Sequence, residues 1–409
     1  MTDLALDGIR VCDLTWIIAG PVCTRVLADF GADVIRVEHE QSMDSVRMGR
    51  PIMGEAPTGN NSGFFNYINR NKRSIALNVR HPDGHDVLKR LVAASDVVVE
   101  NFSANVMDSW GLGYDELRSL NPGVIYCSIS GFGHSGRDKL HTTWGPTAQA
   151  LSGLTYMSGL PGLPPAGWGY SYMDHTAGYY AASAVMMALH HRNRTGEGQW
   201  IDMSQVEAGI VLTGPAVLDA EVNGFRWRSP GLPPGNHAWQ PRVAPHNAYR
   251  CTGADRWIAI AATNEAEWLA LASLIGGPAA HASFATNESR LEHEDVLDNV
   301  LSAWTAGQDA YALMQRLQDA GVPAGVCQTA GDRFERDPQL AARDWWHRLD
   351  HPEIGECDYD GVLPKLSLTP GRLRMPSPVF GADTEAVMRN VLGMSGAEYV
   401  GLLESGVFM

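Results

Sequence analysis

The chain has 409 residues, of which 44% are hydrophobic and 19% charged, and its formal net charge is −15. This length and composition describe a globular protein with room for more than one domain and a large core, and they exclude a disordered chain. The acidic excess excludes nucleic acid or an anionic membrane as the main partner, so any anionic ligand requires a local basic patch.

Strand-like and helix-like segments alternate through the first third. Residues 9–15 (IRVCDLT) read as a strand, 19–21 (AGP) as a turn, and 22–30 (VCTRVLADF) as a helix with Gly31 at its C-terminal stop. Strands follow at 33–38 (DVIRVE) and 73–79 (RSIALNV), then a helix near 82–94 opened by Pro82, a strand at 96–102 (DVVVENF), a helix near 114–120 and a strand at 123–133. Such a β-α-β series predicts an α/β fold, with helices covering a parallel sheet. Residues 134–173 are rich in Gly, Pro, Ser and Thr and read as a long functional loop. An apolar helix from about 175 to 192 comes next, then a turn, the strand 199–203 (QWIDM), and a capping box of Ser204 and Glu207 for another helix.

The five prolines in 224–247 mark a linker into a second, α+β domain. There, residues 248–262 read as a hairpin, helices run to about 321, and 321–327 (GVPAGVC) is a strand. Short strands in 348–370 and a last helix near 384–392 complete the series. The opening MTDLALDGIR has two acids and no apolar core, so no signal peptide is expected, and the apolar stretch around 177–189 is too short and too interrupted to span a bilayer. Six scattered cysteines without a C-x-x-C pair read as reduced thiols, which predicts a cytoplasmic protein with no structural metal.

Common catalytic motifs are absent: there is no G-x-x-x-x-G-K-[ST], no H-E-x-x-H, no G-x-S-x-G, and Gly20 alone stands where a dinucleotide fingerprint needs three glycines. Glu38 ends the second strand, where such folds place a ribose-binding acid, which keeps a nucleotide-bearing ligand in view. His81 and His85 have helical spacing, but His81 precedes Pro82 and lies outside the helix, while the adjacent His190 and His191 point apart. The cluster Arg70, Lys72, Arg73 and Arg80 is either a phosphate site or a solvated loop.

Asp174 stands alone where the glycine-rich stretch meets the apolar helix. One reading makes it the helix N-cap. The other uses the same place: the helix dipole favours the anion, neighbouring glycines let a ligand approach, and free N–H groups stabilise an oxyanion, which suits a nucleophile in acyl transfer.

The chain resembles the class III CoA-transferases, the family of formyl-CoA transferase and carnitine CoA-transferase. The resemblance runs from about residue 6 to the end, through DLTWIIAGPVCTRVLADFGADVIRVE (13–38), NKRSIALNVRHPDG (71–84), VVVENF (97–102), NPGVIYCSISGFG (121–133), RTGEGQWIDMSQVEA (194–208), GVPAG (321–325) and RDPQLAARDWW (336–346). It implies a Rossmann-like large CoA-binding domain begun by residues 1–223, a small domain at 224–330, and a return segment at 331–409 that completes the large domain. It also implies two chains interlocked like linked rings, a homodimer, with a heteromer as the alternative. The family's catalytic aspartate falls on Asp174, which would take the acyl group of an acyl-CoA as a mixed anhydride and then carry CoA as a thioester. CoA is then a substrate and no cofactor is held tightly; the partners are an acyl-CoA and a carboxylic acid.

Carried over by position, the CoA contacts are Ile18, Ala19, His39, Leu77, Arg80, Asn101, Phe102 and Lys139. Formyl-CoA transferases have a glycine loop in the small domain, for which SPGLPPGN (229–236) is the nearest counterpart, and a glutamate where this chain has Gly145. These departures argue for a larger acid, with Gly145 freeing space and Trp144, Trp168, Tyr170 and Tyr172 as apolar walls. Two other functions fit the resemblance. An α-methylacyl-CoA racemase needs a histidine opposite the aspartate, but that position holds Trp144, leaving His141 and His175 as substitutes. A non-catalytic acyl-CoA-binding subunit of a heteromer would keep Asp174 as a cap only.

Overall fold

The computed structural model describes residues 4–225, 227–228 and 232–409. Six strands, β1 (Arg10–Asp13), β2 (Asp33–Glu38), β3 (Lys72–Ala76), β4 (Val97–Glu100), β5 (Ile125–Ser130) and β6 (Gln199–Ser204), form one sheet in the order β3-β2-β1-β4-β5-β6. Every neighbouring pair is parallel, so the α/β class and the parallel sheet expected from the sequence are present. Parallel strands are covered on both faces, which is why β4 is an unbroken valine run with Val97, Val98 and Val99 all fully buried. Val11, Val99 and Ile125 face the Ala19–Asp29 and Tyr172–Thr195 helices. Cys12, Val98 and Tyr126 face the Pro82–Ala93 and Tyr114–Leu120 helices, together with Val387 and Met388 of the Thr384–Asn390 helix.

Two compact units emerge. The first holds residues up to Thr155, Gly167–Asn223 and Gln339–Met409; the second holds Tyr156–Ala166 and Gly224–Pro338. In the second, β7 (His246–Arg250), β8 (Trp257–Ala261) and β9 (Ala324–Val326) make an antiparallel sheet. Ile258 and Ile260 pack there on Leu271, Leu301, Leu313 and Leu317 from three helices. A hairpin of β10 (Trp346–His351) and β11 (Gly355–Asp360) belongs to the first unit. Residues 229–231 of the SPGLPPGN segment lie outside the described residues.

Some local expectations give way. The AGP segment is the first turn of the Ala19–Asp29 helix, because a proline in a first turn lacks only an N–H that has no helical acceptor. The long loop at 134–173 contains the short helices Gly145–Leu151 and Leu154–Met157, of 7 and 4 residues, too short to show a helical period in the sequence. A further helix, Gly396–Glu404, follows the Thr384–Asn390 helix that was expected to be last. Of the basic cluster, Arg70 pairs with Asp29 at 2.8 Å and with Asp360, Lys72 with Asp13 at 3.0 Å and Arg73 with Asp33 at 2.5 Å. Each of these three cations is tied to an aspartate on another strand or helix, so neither the phosphate reading nor the solvated-loop reading holds for them. Among the described residues no helix is long and apolar enough to cross a membrane.

One close helix crossing sets the position of Asp174. A Cβ at Gly178 would lie 2.6 Å from Ala19 O and 2.9 Å from Val22 Cβ, so the Tyr172–Thr195 helix meets the Ala19–Asp29 helix in near backbone contact. Asp174 lies one turn before Gly178, on the same face, and is thereby set beside the start of the other helix.

A buried charge chain ties the end of β2 to the middle of β3. Arg47 donates to both Glu38 oxygens at 2.8 and 2.6 Å, Arg36 lies 3.2 Å from Glu38, and Ser74 donates to Glu38 at 2.8 Å. Burial pushes the Glu38 carboxyl up, but Arg36, then Arg47 and Ser74, outweigh it and hold it at about 2. A carboxyl depressed on folding stabilises the fold above its ordinary range and loses that contribution as pH falls toward its folded value. Arg47→Met is therefore expected to cost about 3–5 kcal/mol in urea unfolding at neutral pH, the cost of stripping a buried ion pair. In the same titration the variant should lose less stability than the wild type as pH falls through about 4.5 to 2.

Candidate active site

The strand order turns at β1, which lies between β2 and β4, and ligands of open α/β sheets bind at the carboxyl ends beside such a switch. Here a cavity of about 160 Å³ opens there, lined by Ile17, Ile18 and Ala19 after β1, Asn101 and Phe102 after β4, and Ile129 to Gly131 at the end of β5. His141, Thr142, Thr143, Trp144, Asp174 and Gln205 close it.

The turn after β1 is unusual. Ile17 has φ 65, a left-handed conformation costly for a β-branched residue. Its N–H donates to Asp44 Oδ2 at 3.0 Å, and the preceding Trp16 is clamped by Asn101, whose amide accepts from Trp16 N–H at 2.7 Å and donates to Trp16 O at 2.9 Å. Asn101 thus serves the turn with both ends of its side chain. Among the described residues, the N–H groups of Ile18 and Ala19 at this helix start have no acceptor, which is the arrangement that receives an anion.

Asp174 is the third residue of the Tyr172–Thr195 helix, and Ser171 holds the N-cap position, so the N-cap reading of Asp174 fails. The carboxylate is 9% exposed. Burial pushes its carboxyl above the ordinary range; Gln205, the Ser171 hydroxyl, the charge of His175 and the Gly145 N–H pull it back. Gln205 Nε2 donates to Asp174 Oδ1 at 2.5 Å, and Thr143 Oγ1 donates to Gln205 Oε1 at 3.3 Å. Gly145 opens the Gly145–Leu151 helix, and a Cβ there would lie 2.4 Å from Asp174 Oδ2. The expectation that Gly145 frees space for a substrate is therefore corrected: Asp174 fills that space, and glycine is required for the backbone to reach the carboxylate.

A second cavity, of about 210 Å³, lies across the ends of β1, β2 and β3. His39, Leu77, Arg80 and Phe102 line it together with Trp16 and Trp110. Arg80 is exposed and, among the described residues, has no ion-pair partner, alone in the basic cluster. Glu38 also borders this cavity, but both its oxygens are held by Arg47, so it is not free to bind a ribose.

The structure thus gathers Ile18, Ala19, Asn101, Phe102, Trp144 and Asp174 at one cavity, and His39, Leu77, Arg80 and again Phe102 at the other. Lys139 and Tyr172 line neither. The charge of Lys139 is felt by His134, and Tyr172 packs edge-on against Trp168 at 4.5 Å, beside Tyr170 at 6.0 Å. Of the four aromatics expected as walls only Trp144 reaches the Asp174 cavity. His141 lines it too, whereas His175 turns its Nδ1 to Ser171 O at 3.0 Å. Sequence reading missed Gln205, Thr143 and Asp44. Only Gln205 left a signal: it directly follows Ser204, the cap of the Gln205–Leu212 helix, so it sits at a helix start at the end of a parallel strand.

A family model described as CoA-transferase family III matches residues 6–384. The chain is 34% identical over 393 residues to a succinyl-CoA–D-citramalate CoA-transferase of Chloroflexus aurantiacus, with 95% of this chain and 94% of that protein covered. It is 33% identical over 399 residues to the beta subunit of a succinyl-CoA–L-malate CoA-transferase of the same organism, covering 96% of this chain and 95% of that one. A crystal structure of a CAIB/BAIF family protein from Brucella suis superposes with a TM-score of 0.85 at 31% identity, covering 95% of this chain and 100% of the other. With a family match across nearly its whole length and relatives of this similarity, the chain belongs to CoA-transferase family III.

Proposed function

We propose that this protein transfers CoA from an acyl-CoA to a free carboxylic acid through covalent intermediates on Asp174. The observation that supports this most directly is a buried carboxylate that lines a cavity together with Ile18 and Ala19, whose N–H groups have no acceptor among the described residues. In this reading those N–H groups take the oxyanion formed when Asp174 attacks a thioester carbonyl. Burial keeps water from the resulting anhydride and thioester, since hydrolysis would discharge them. Both Chloroflexus relatives draw CoA from succinyl-CoA, and we take succinyl-CoA as the donor class and a small dicarboxylic or hydroxy acid as the acceptor. The nucleotide end of CoA is assigned to the cavity of His39, Leu77 and Arg80, where Arg80, without an ion-pair partner among the described residues, takes phosphate and Trp16 and Trp110 supply apolar surface.

CoA enters and leaves as a substrate. The working unit is assigned as a homodimer of interlocked chains, with a heteromer of two related chains as the alternative. The Gly214–Asn223 helix supports a second chain: none of its residues is buried, and Leu218 and Val222 are 62% and 76% exposed. Six free cysteines, four of them buried, suit the reducing cytoplasm. A second reading, proton exchange at the α-carbon of an acyl-CoA, is favoured by one observation: His141 shares the cavity with Asp174. Exchange of the α-proton of a branched acyl-CoA with deuterated water would mark it.

Asp174→Asn keeps the size of the side chain and removes the nucleophile. Turnover should fall by about 10⁴-fold or more, the scale of losing a covalent nucleophile, while acyl-CoA binding by calorimetry persists. Hydroxylamine added to the wild type with succinyl-CoA should leave a hydroxamate on Asp174; an unmodified Asp174, with CoA bound, would sink the covalent reading. Gly145→Ala drives a methyl group into Asp174 Oδ2, and kcat should fall by about 100-fold, the cost of an ångström-scale misplacement. Because burial raises the Asp174 carboxyl and the reaction needs the anion, the acid limb of kcat/KM against pH should lie above the ordinary aspartate range, and activity should be lost as pH falls through it. Light scattering of the purified chain should give twice the chain mass of 44.4 kDa, and a monomer would count against the dimer.

A further inference from the structure

The two central steps of the proposed reaction put negative charge on Asp174 itself. In the first step an Asp174 oxygen attacks the thioester carbon, the C–S bond breaks and CoA leaves as the thiolate. The thiolate then attacks Asp174 Cγ, and an oxyanion forms on the carboxyl oxygen that does not carry the acyl group. Collapse breaks the Cγ–O bond to the acyl group, releases the acid as its carboxylate and leaves an aspartyl–CoA thioester. The acceptor carboxylate reverses this at Cγ: it adds, the oxyanion forms on the same oxygen, and the C–S bond breaks. Attack of the thiolate on the new acyl carbon then regenerates the Asp174 carboxylate. No proton, oxidant or reductant is consumed.

A donor is therefore needed at the Asp174 oxygen that stays behind, separate from the donors that serve the substrate carbonyl. We infer that Gln205 is that donor and that Asp174 Oδ1, which it holds at 2.5 Å, is the oxygen on which charge develops at Cγ. The inference rests on the covalent role proposed for Asp174. Its geometry is specific. Gln205 is 6% exposed and lines the cavity, so its amide acts where water does not screen it. An ionised carboxylate only accepts, so the amide must turn its NH2 to Asp174 and its carbonyl away. The carbonyl oxygen meets the Thr143 hydroxyl at 3.3 Å, which satisfies it in that orientation. Gln205 is also the first residue of the Gln205–Leu212 helix, whose cap Ser204 ends β6, so the backbone that carries the amide is fixed by strand and helix together. A side chain that only packed there would not need an amide.

The test uses the full chain, succinyl-CoA without acceptor, and intact-protein mass spectrometry after rapid quenching. The acyl adduct reports attack at the thioester, and the CoA adduct reports attack at Cγ. At a pH well above the acid limb, where Asp174 is ionised in both proteins, the acyl adduct of Gln205→Leu should form at close to the wild-type rate. The CoA adduct and steady-state turnover should both slow by about 100-fold, the usual cost of one oxyanion donor, with KM for succinyl-CoA little changed. Gln205→Glu, nearly the same size, removes the donor and adds a like charge beside Asp174, so it should be slower still; it guards against a folding defect in the leucine variant. Thr143→Val should slow only the CoA adduct, by about 2–10-fold, as loss of a single neutral hydrogen bond does. Wild-type turnover in Gln205→Glu, or equal slowing of both adducts in Gln205→Leu, would overturn the inference and leave Gln205 as a packing residue. Absence of any adduct on wild-type Asp174 is a different result: it removes the covalent reading itself before a variant is made.

Discussion

Asp44 is 2% exposed, and it accepts hydrogen bonds from Arg36 Nη2 at 2.6 Å, from Ile17 N–H at 3.0 Å and, through its other oxygen, from Val46 N–H at 3.2 Å. A buried carboxylate is tolerable only when its lone pairs are filled, and here one of the donors is the backbone of a strained turn. A non-glycine residue held at positive φ costs about 1–3 kcal/mol, and it persists only where the surroundings over-determine it. Asp44 does so from one side and Asn101, gripping Trp16 by both its N–H and its carbonyl, from the other. Arg36 in turn leans on Glu38, and Glu38 on Arg47. The direction of the Ile18 and Ala19 N–H groups thus depends on alternating charges that run from the turn to the end of β2.

The same opposition of burial and pairing governs Asp174, with a different balance. Glu38 is overcompensated and held at about 2, as befits a structural anion. Among the described residues Asp174 has no cation in direct contact: an amide, a hydroxyl, a backbone N–H and a histidine charge offset its burial only in part, and the carboxyl stays raised. A carboxylate held by a guanidinium is a poor nucleophile, because its lone pairs are engaged and its charge is neutralised. One held by neutral donors keeps both its charge and its basicity, and the energy of its incomplete solvation is available when the charge is passed to a thioester. On the role proposed for Asp174, burial of similar depth supports a strut in one place and a nucleophile in another.

Much of this was legible in the sequence for a physical reason: the parallel sheet and its covering helices are written in local patterns, such as the valine run of β4 and the Pro82 start of the Pro82–Ala93 helix. Asp174 stood out because it is the sole acid where glycines meet an apolar helix. What stayed hidden depends on contacts between residues far apart in the chain. Arg70, Lys72 and Arg73 read as a surface cluster, yet each finds an aspartate brought by another strand or helix, and Arg70 finds a second in Asp360, nearly 300 residues away. Gln205 lies 31 residues from Asp174 and carries no motif of its own. Gly145 was visible as a glycine, but whether a missing side chain leaves a hole or admits a backbone is decided only by what stands opposite, and here that is Asp174.

On the proposed function, three consecutive residues at the end of β4 join recognition to chemistry. Glu100 accepts the Phe102 N–H at 2.7 Å and so fixes the backbone there, Asn101 holds the turn that carries Ile17 and Ile18, and the Phe102 ring borders both cavities. That ring stands edge-on between Trp16 at 6.3 Å and Trp110 at 5.3 Å, so the wall between the cavities is rigid aromatic surface with few rotamers to freeze. With the nucleotide of CoA in one cavity and its thioester in the other, as proposed, the separation between them is set by this wall and not by a mobile loop. Binding energy gained far from the reacting carbon is then converted into its placement against Asp174, since a thioester that reached too far or too short would have to give up its nucleotide contacts. Selectivity for the acyl group need not come from the CoA half at all. On the proposed function it is left to the side of the Asp174 cavity formed by His141 to Trp144, where the wall is exposed except at the half-buried Thr143, polar at Thr142 and Thr143 and aromatic at Trp144.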